Sequence, residues 1–120
     1  MNNEELEERL IDFAVLIIEV CDEMEKTKAG NHMAGQLLRS GTSPALNYGE
    51  VQSSESKKDF IHKIQIVLKE LRETLVNLKI CFRAKINKNN KKIQLAINES
   101  NELISIFVAT SRTAKKNMKQ

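Results

Sequence analysis

Leu6, Leu10, Phe13, Ile17, Val20 and Met24 step along the chain by four, three, four, three and four residues. At 100° per residue this spacing holds all six on one stripe of an α-helix, which must find other helices to lie against. The period returns in Phe60, Ile64, Val67, Leu71, Leu75 (or Thr74), Leu78 and Phe82, and again in Ile93, Ile97, Ile104 and Phe107. Between them Ala34, Leu37, Leu38, Gly41, Ala45 and Tyr48 form a face whose small residues permit close backbone approach. Helices are therefore predicted over about 4–26, 31–48, 54–86 and 91–114 of a single domain spanning 1–120, with a basic tail over 115–120 that frays. Short connections make successive helices antiparallel neighbours. The fold class is all-α, an up-down-up-down four-helix bundle.

Local signals place the boundaries. Gly30 is read as the stop after helix one, and Ser53 or Ser54 as the cap of helix three, with Ser53-x-x-Ser56 falling short of a capping box. Pro44, the only proline, removes a backbone donor and predicts a kink or break near Gly41–Ser43. Helix one also carries Ile11, Val15 and Ile18 away from its main seam. A helix apolar on two faces needs two partners, so these residues are the candidate interface of a homo-oligomer; a wide stripe covered within the chain is the alternative.

Composition bounds the class. With 41% hydrophobic and 29% charged residues, the chain is too apolar for disorder. No apolar run approaches the ~20 residues of a membrane span. The acidic start, MNNEELEERL, is unlike the basic n-region of a signal peptide, so a cytoplasmic location is expected. Cys21 and Cys81 then read as small hydrophobes rather than a disulfide.

The net charge of +3 conceals an asymmetry. Residues 1–25 hold nine acids against Arg9 alone, whereas the remaining residues hold 18 basic groups and seven acids. Lys79, Arg83, Lys85, Lys88, Lys91 and Lys92 follow one another with no intervening acid, and an antiparallel bundle brings Lys26 and Lys28 to the same end. These eight cations are the candidate nucleic-acid contacts, for RNA or DNA, through sequence-tolerant phosphate interactions. A solvated helix end is the plainer account. No aromatic is interleaved for stacking except Phe82, which reads as core.

Catalytic and metal patterns are incomplete. His32 and His62 lie at no ligand spacing from each other or from a cysteine, and Asp59-x-x-His62 occurs once where a di-metal bundle needs two Glu-x-x-His pairs. No enzyme activity, metal or cofactor is expected. At the opposite end from the basic cluster, Arg39, Ser40, Asn47, Glu50, Asp59, Phe60 and Lys63 are expected to gather. Arg39 pairs there with Glu50 or Asp59 to fix the bend at Pro44, or the group forms a ligand or partner site.

The stretch Gln36–Thr74 carries RSGTS-x-x-x-N-Y-x-E, then S-x-x-D-F-I-x-K, then L-K-E-x-x-E. These motifs, from Arg39 to Glu73 and including Lys69 and Glu70, resemble the bacterial family encoded in intervening sequences of 23S ribosomal RNA genes. Helix one is similar to that family too, so the resemblance spans most of the chain; Val76 or Asn77 departs from it, where members often carry an aromatic. The resemblance implies a four-helix bundle assembling into a homo-oligomeric ring, a pentamer in relatives. It also implies kinship with the accessory variability protein of diversity-generating retroelements, and hence nucleic acid or a protein partner such as a reverse transcriptase. No catalytic residue follows from it.

Overall fold

The structure is a computed structural model that describes residues 1–118. It consists of α1 (Asn3–Asp22), α2 (Lys28–Val51), α3 (Lys57–Ala84) and α4 (Asn90–Met118). Each helix packs on the one before it, and α1 closes onto α4, whereas the diagonal pairs α1–α3 and α2–α4 keep their backbones apart and meet only through side chains in the core. The result is an antiparallel square bundle, 51 × 22 × 20 Å. Lys119 and Gln120, the last residues of the predicted frayed tail, lie outside the described residues, and residues 115–118 continue α4 as helix.

Side-chain caps set the helix starts. Asn2 accepts from the Glu5 N–H at 2.8 Å, Thr27 from Gly30 at 3.0 Å, Ser56 from Asp59 at 3.0 Å and Asn89 from Lys92 at 3.0 Å. Two of these differ from the sequence expectation. Gly30 does not end helix one; it sits in the first turn of α2, where a Cβ would lie 1.9 Å from the Glu25 carbonyl oxygen. The cap of α3 is Ser56, and the Asp59 carboxylate reaches back to the Glu55 N–H at 3.1 Å, a variant of the reciprocal capping pattern.

The α1 seam is buried throughout from Leu6 to Val20; the helix ends at Asp22, short of the predicted 26, and Met24 is buried just beyond it in a bridge to Asn87. Gly41 lets α2 approach the seam, since a Cβ there would fall 2.5 Å from Ile17 Cγ2. Pro44 is buried inside α2, which runs past it without the expected break. Nearby hydroxyls turn back on the helix: Thr42 Oγ1 donates to the Leu38 carbonyl at 2.7 Å. Tyr48 stacks edge-on against Phe107 at 5.6 Å, with its hydroxyl donating to Asn3 Oδ1 at 3.2 Å. Thr74, not Leu75, takes the fully buried α3 position, and its Oγ1 lies 2.9 Å from Ser40 Oγ. Two residues predicted for the core are exposed, Leu38 at 44% and Phe82 at 38%. Leu103 is fully buried in α4, where Ile104 is only half-buried.

Candidate nucleic-acid interface

The α1–α2 and α3–α4 turns are pinned together. The Glu25 N–H donates to the Ile86 carbonyl at 2.8 Å and the Lys88 N–H to the Glu23 carbonyl at 2.8 Å. Asn87 adds a side-chain bond to the Val20 carbonyl at 2.9 Å, satisfying an acceptor at the end of α1. Lys26 and Lys28 thus share an end of the bundle with Arg83, Lys85, Lys88, Lys91 and Lys92, and Lys79 stands one turn further along α3. The end is less uniformly positive than the run of cations implies. Asp22, Glu23 and Glu25 close α1 there, and Lys92 Nζ lies 3.7 Å from Glu23 Oε1.

Within that end, Phe82, Arg83, Lys85, Asn87, Lys88 and Asn90 line a concavity of about 400 Å³ with no carboxylate in its wall. Lys85 caps α3 in the left-handed region at φ 58°, the only non-glycine residue with positive φ among those described. That conformation costs a side chain roughly 1–2 kcal/mol relative to glycine. A lysine held there places a cation where glycine would be the more stable choice.

The polar residues of the Arg39–Glu73 motifs form two groups, not one. Arg39 is not at the α2–α3 end and bonds neither Glu50 nor Asp59. Its guanidinium donates to Glu70 at 3.1 Å and to Glu73 in mid-bundle. Antiparallel pairing explains this: residues equidistant from the turn near Ser54–Glu55 meet, so position 39 faces position 70. The Arg39 guanidinium holds the Glu73 carboxyl below the usual carboxylate range. The second group lies at the turn, where Lys63 pairs with Asp59 at 3.1 Å and donates to the Glu50 carbonyl at 3.4 Å. The Glu55 N–H and then Lys63 lower the Asp59 pKa. Ser40 is buried beside Thr74, and Asn47 donates to Ser43 at 2.7 Å within its own helix. At that end a cavity of about 440 Å³ is floored by Tyr48, Val51 and Phe60 and rimmed by Asn3, Gln52 and Ser54.

Arg9 was not singled out by sequence reasoning. It binds Glu99 through two bonds of 2.7 Å and Glu102 at 2.6 Å, tying α1 to α4 with a bidentate fork. A lone arginine in an acidic helix was the available signal. Ile11, Val15 and Ile18 are exposed at 41%, 51% and 43%. Leu38 lies on the same α1–α2 face, since Ala34, one turn before it, accepts from Cys21 Sγ at 3.4 Å and Ile18 lies one turn before Cys21.

Among the described residues no three His, Cys, Asp or Glu side chains converge as metal ligands. Both cysteines are free thiols, and burial pushes each up to about 11. At pH 8 a thiol of that pKa is ionised about one part in a thousand, against about a quarter for a free cysteine. Alkylation with iodoacetamide is therefore expected to run about 250-fold slower than in the unfolded chain at pH 8, and to accelerate roughly tenfold per pH unit. Because the folded state keeps the proton while the unfolded state releases it, this contribution to stability is intact below about pH 9 and is lost as pH rises toward 11.

No helix of the described chain is long and apolar enough to cross a membrane. The architecture defines an antiparallel four-helix bundle whose surface chemistry is charge, two arginine clamps between neighbouring helices and an apolar face. Within that class the chain belongs to the 23S rRNA-intervening sequence protein family, whose model matches residues 3–109. It is also similar to a crystal structure of a protein of unknown function from the S23 ribosomal protein family of Bacteroides thetaiotaomicron VPI-5482. The identity is 28% and the TM-score 0.82, over 93% of this chain and 99% of that one. No curated protein matches the chain.

Proposed function

We propose that this protein is a non-enzymatic, cytoplasmic, homo-oligomeric nucleic-acid-binding protein that grips phosphate groups at the turn end of its bundle. The concavity around Lys85 carries the reading: Arg83, Lys85 and Lys88 surround it, no carboxylate lines it, and the central lysine occupies a strained backbone position. Oligomerisation through Ile11, Val15 and Ile18 multiplies such ends, so that weak contacts sum by avidity. A variant with Arg83, Lys85, Lys88 and Lys91 changed to Gln is the test, using fluorescence anisotropy across a salt series. If all four contact phosphates, the slope of log K against log salt falls by about 3.6 on duplex DNA. An unchanged slope removes this end from the interface.

A second reading is a scaffold that docks a protein partner at the α2–α3 turn. It is favoured by the cavity floored by Tyr48, Val51 and Phe60 beside the Asp59–Lys63 pair. Phe60→Ala then abolishes partner capture and leaves nucleic-acid affinity alone.

A further inference from the structure

The acids of α3 and α4 all pair with cations outside the groove that these two helices share. On α3, Glu70 and Glu73 reach across to Arg39 of α2, and Asp59 pairs within its helix with Lys63, which reaches α2. On α4, Glu99 and Glu102 reach across to Arg9 of α1. No other acid occurs in either helix. What remains on the outward side of α3 is Lys58, Lys69, Arg72, Lys79 and Arg83, all exposed and in one helical phase with His62, Gln65 and Val76. From α4, Arg112 and Lys115 join them, lining with Lys69 and Arg72 a groove of about 590 Å³ that has no carboxylate in its wall. None of these seven cations takes part in an ion pair among the described residues.

From this we infer that the α3–α4 face is a track for double-stranded nucleic acid, bound by its phosphate backbone. The inference rests on the proposed nucleic-acid function and extends it to residues outside the turn. Three observations carry it. The stripe from Lys58 to Arg83 is about 38 Å long at 1.5 Å per residue, close to one turn of a duplex. Salt bridges to the neighbouring helices use up the local acids, so the cations face a partner rather than each other. Bases need not be read: Phe13, Tyr48 and Phe107 are buried, Phe60 lies by the α2–α3 turn and Phe82 by the other turn, leaving the groove without an aromatic platform for unpaired bases. The square arrangement also sets this face opposite α1–α2, so a copy docked on Ile11, Val15 and Ile18 leaves the track open.

The test compares wild type, the turn variant described above and a flank variant with Lys69, Arg72, Arg112 and Lys115 changed to Gln. Each is titrated with a 20-base-pair RNA duplex, the matching DNA duplex and the single strands at several salt concentrations. The flank variant is expected to lose at least about tenfold in duplex affinity at low salt, with its salt slope on DNA smaller by about 3.6. The RNA and DNA arms decide which duplex is preferred. Duplex binding that the turn variant weakens and the flank variant leaves intact overturns the track and keeps the proposed function. Tighter binding of the single strands also overturns the duplex assignment. Wild type that binds none of these duplexes or strands, even at low salt, overturns both.

Discussion

Replacing Phe107 with alanine is expected to lower stability by about 3–5 kcal/mol, read as a melting temperature roughly 10–25 °C lower. Phe107 is fully buried on α4 and meets Tyr48 of α2 edge-on at 5.6 Å, across the diagonal of the square. Tyr48 in turn hydrogen-bonds Asn3 at the start of α1. Truncation therefore opens a cavity and removes an aromatic contact that crosses between the two diagonal helices, whose backbones stay apart. Phe82→Ala is the control. That ring is 38% exposed at the turn, and its loss is expected to cost less than about 1 kcal/mol. Chemical denaturation of the two variants separates them, and equal losses would mean that Phe82 packs in the core after all.

The contrast between these two rings marks how far the fold was legible. Periodicity identified the α1 seam completely, because six consecutive stripe positions all have a neighbour to lie against. The same rule misplaced Phe82 and Leu38, since a helix near its end or at a corner of the square runs past its partner while its sequence keeps the period. It also missed Leu103, one residue from the chosen Ile104. Caps were legible only partly. Ser56 sits beside Ser53 and Ser54, and choosing between them requires knowing that Asp59 reaches back to the backbone. Pro44 lies within α2, where the expected break is outweighed by the burial of its ring and of its neighbours Gly41 and Tyr48.

The charged surface was legible as a count but not as a direction. The run from Lys79 to Lys92 stands out because it lacks acids in sequence, yet Asp22, Glu23 and Glu25 join it in space. The stripe Lys58, Lys69, Arg72, Lys79, Arg83 was hidden for the opposite reason: Glu70 and Glu73 interrupt it in sequence, yet in space they pair with Arg39 of α2, although Glu73 stays beside Lys69 and Arg72. Reading α3 by helical phase rather than by run length would have found it. Arg39 itself was assigned to the wrong end because motif neighbours were treated as spatial neighbours, whereas the antiparallel turn moves position 39 some 16 Å along the axis from Glu50.

A Val15→Glu, Ile18→Glu double variant is expected to remain folded and to weaken self-association at least about 100-fold, leaving single protomers at micromolar concentration. Both side chains are largely exposed in the single chain, so the substitutions cost the fold little. In the proposed oligomer they would force two carboxylates per copy into an apolar contact, which carries the desolvation cost of unpaired charge. Of the other exposed apolar residues, Leu46 and Leu95 protrude singly at 73% and 59%, and Val76 and Ile80 form a smaller pair on α3 at 57% and 49%. Ile11, Val15 and Ile18 instead share one face of α1 and are joined by Leu38 of α2. Size-exclusion with light scattering measures the change, and Leu95→Glu serves as the matched control on α4. If wild type already runs as one protomer, the face is not a self-interface, and phosphate contacts must then suffice without avidity. That outcome would weaken nucleic-acid binding to what one bundle supplies and make the α3–α4 track, with its seven cations, the principal surface left to provide it.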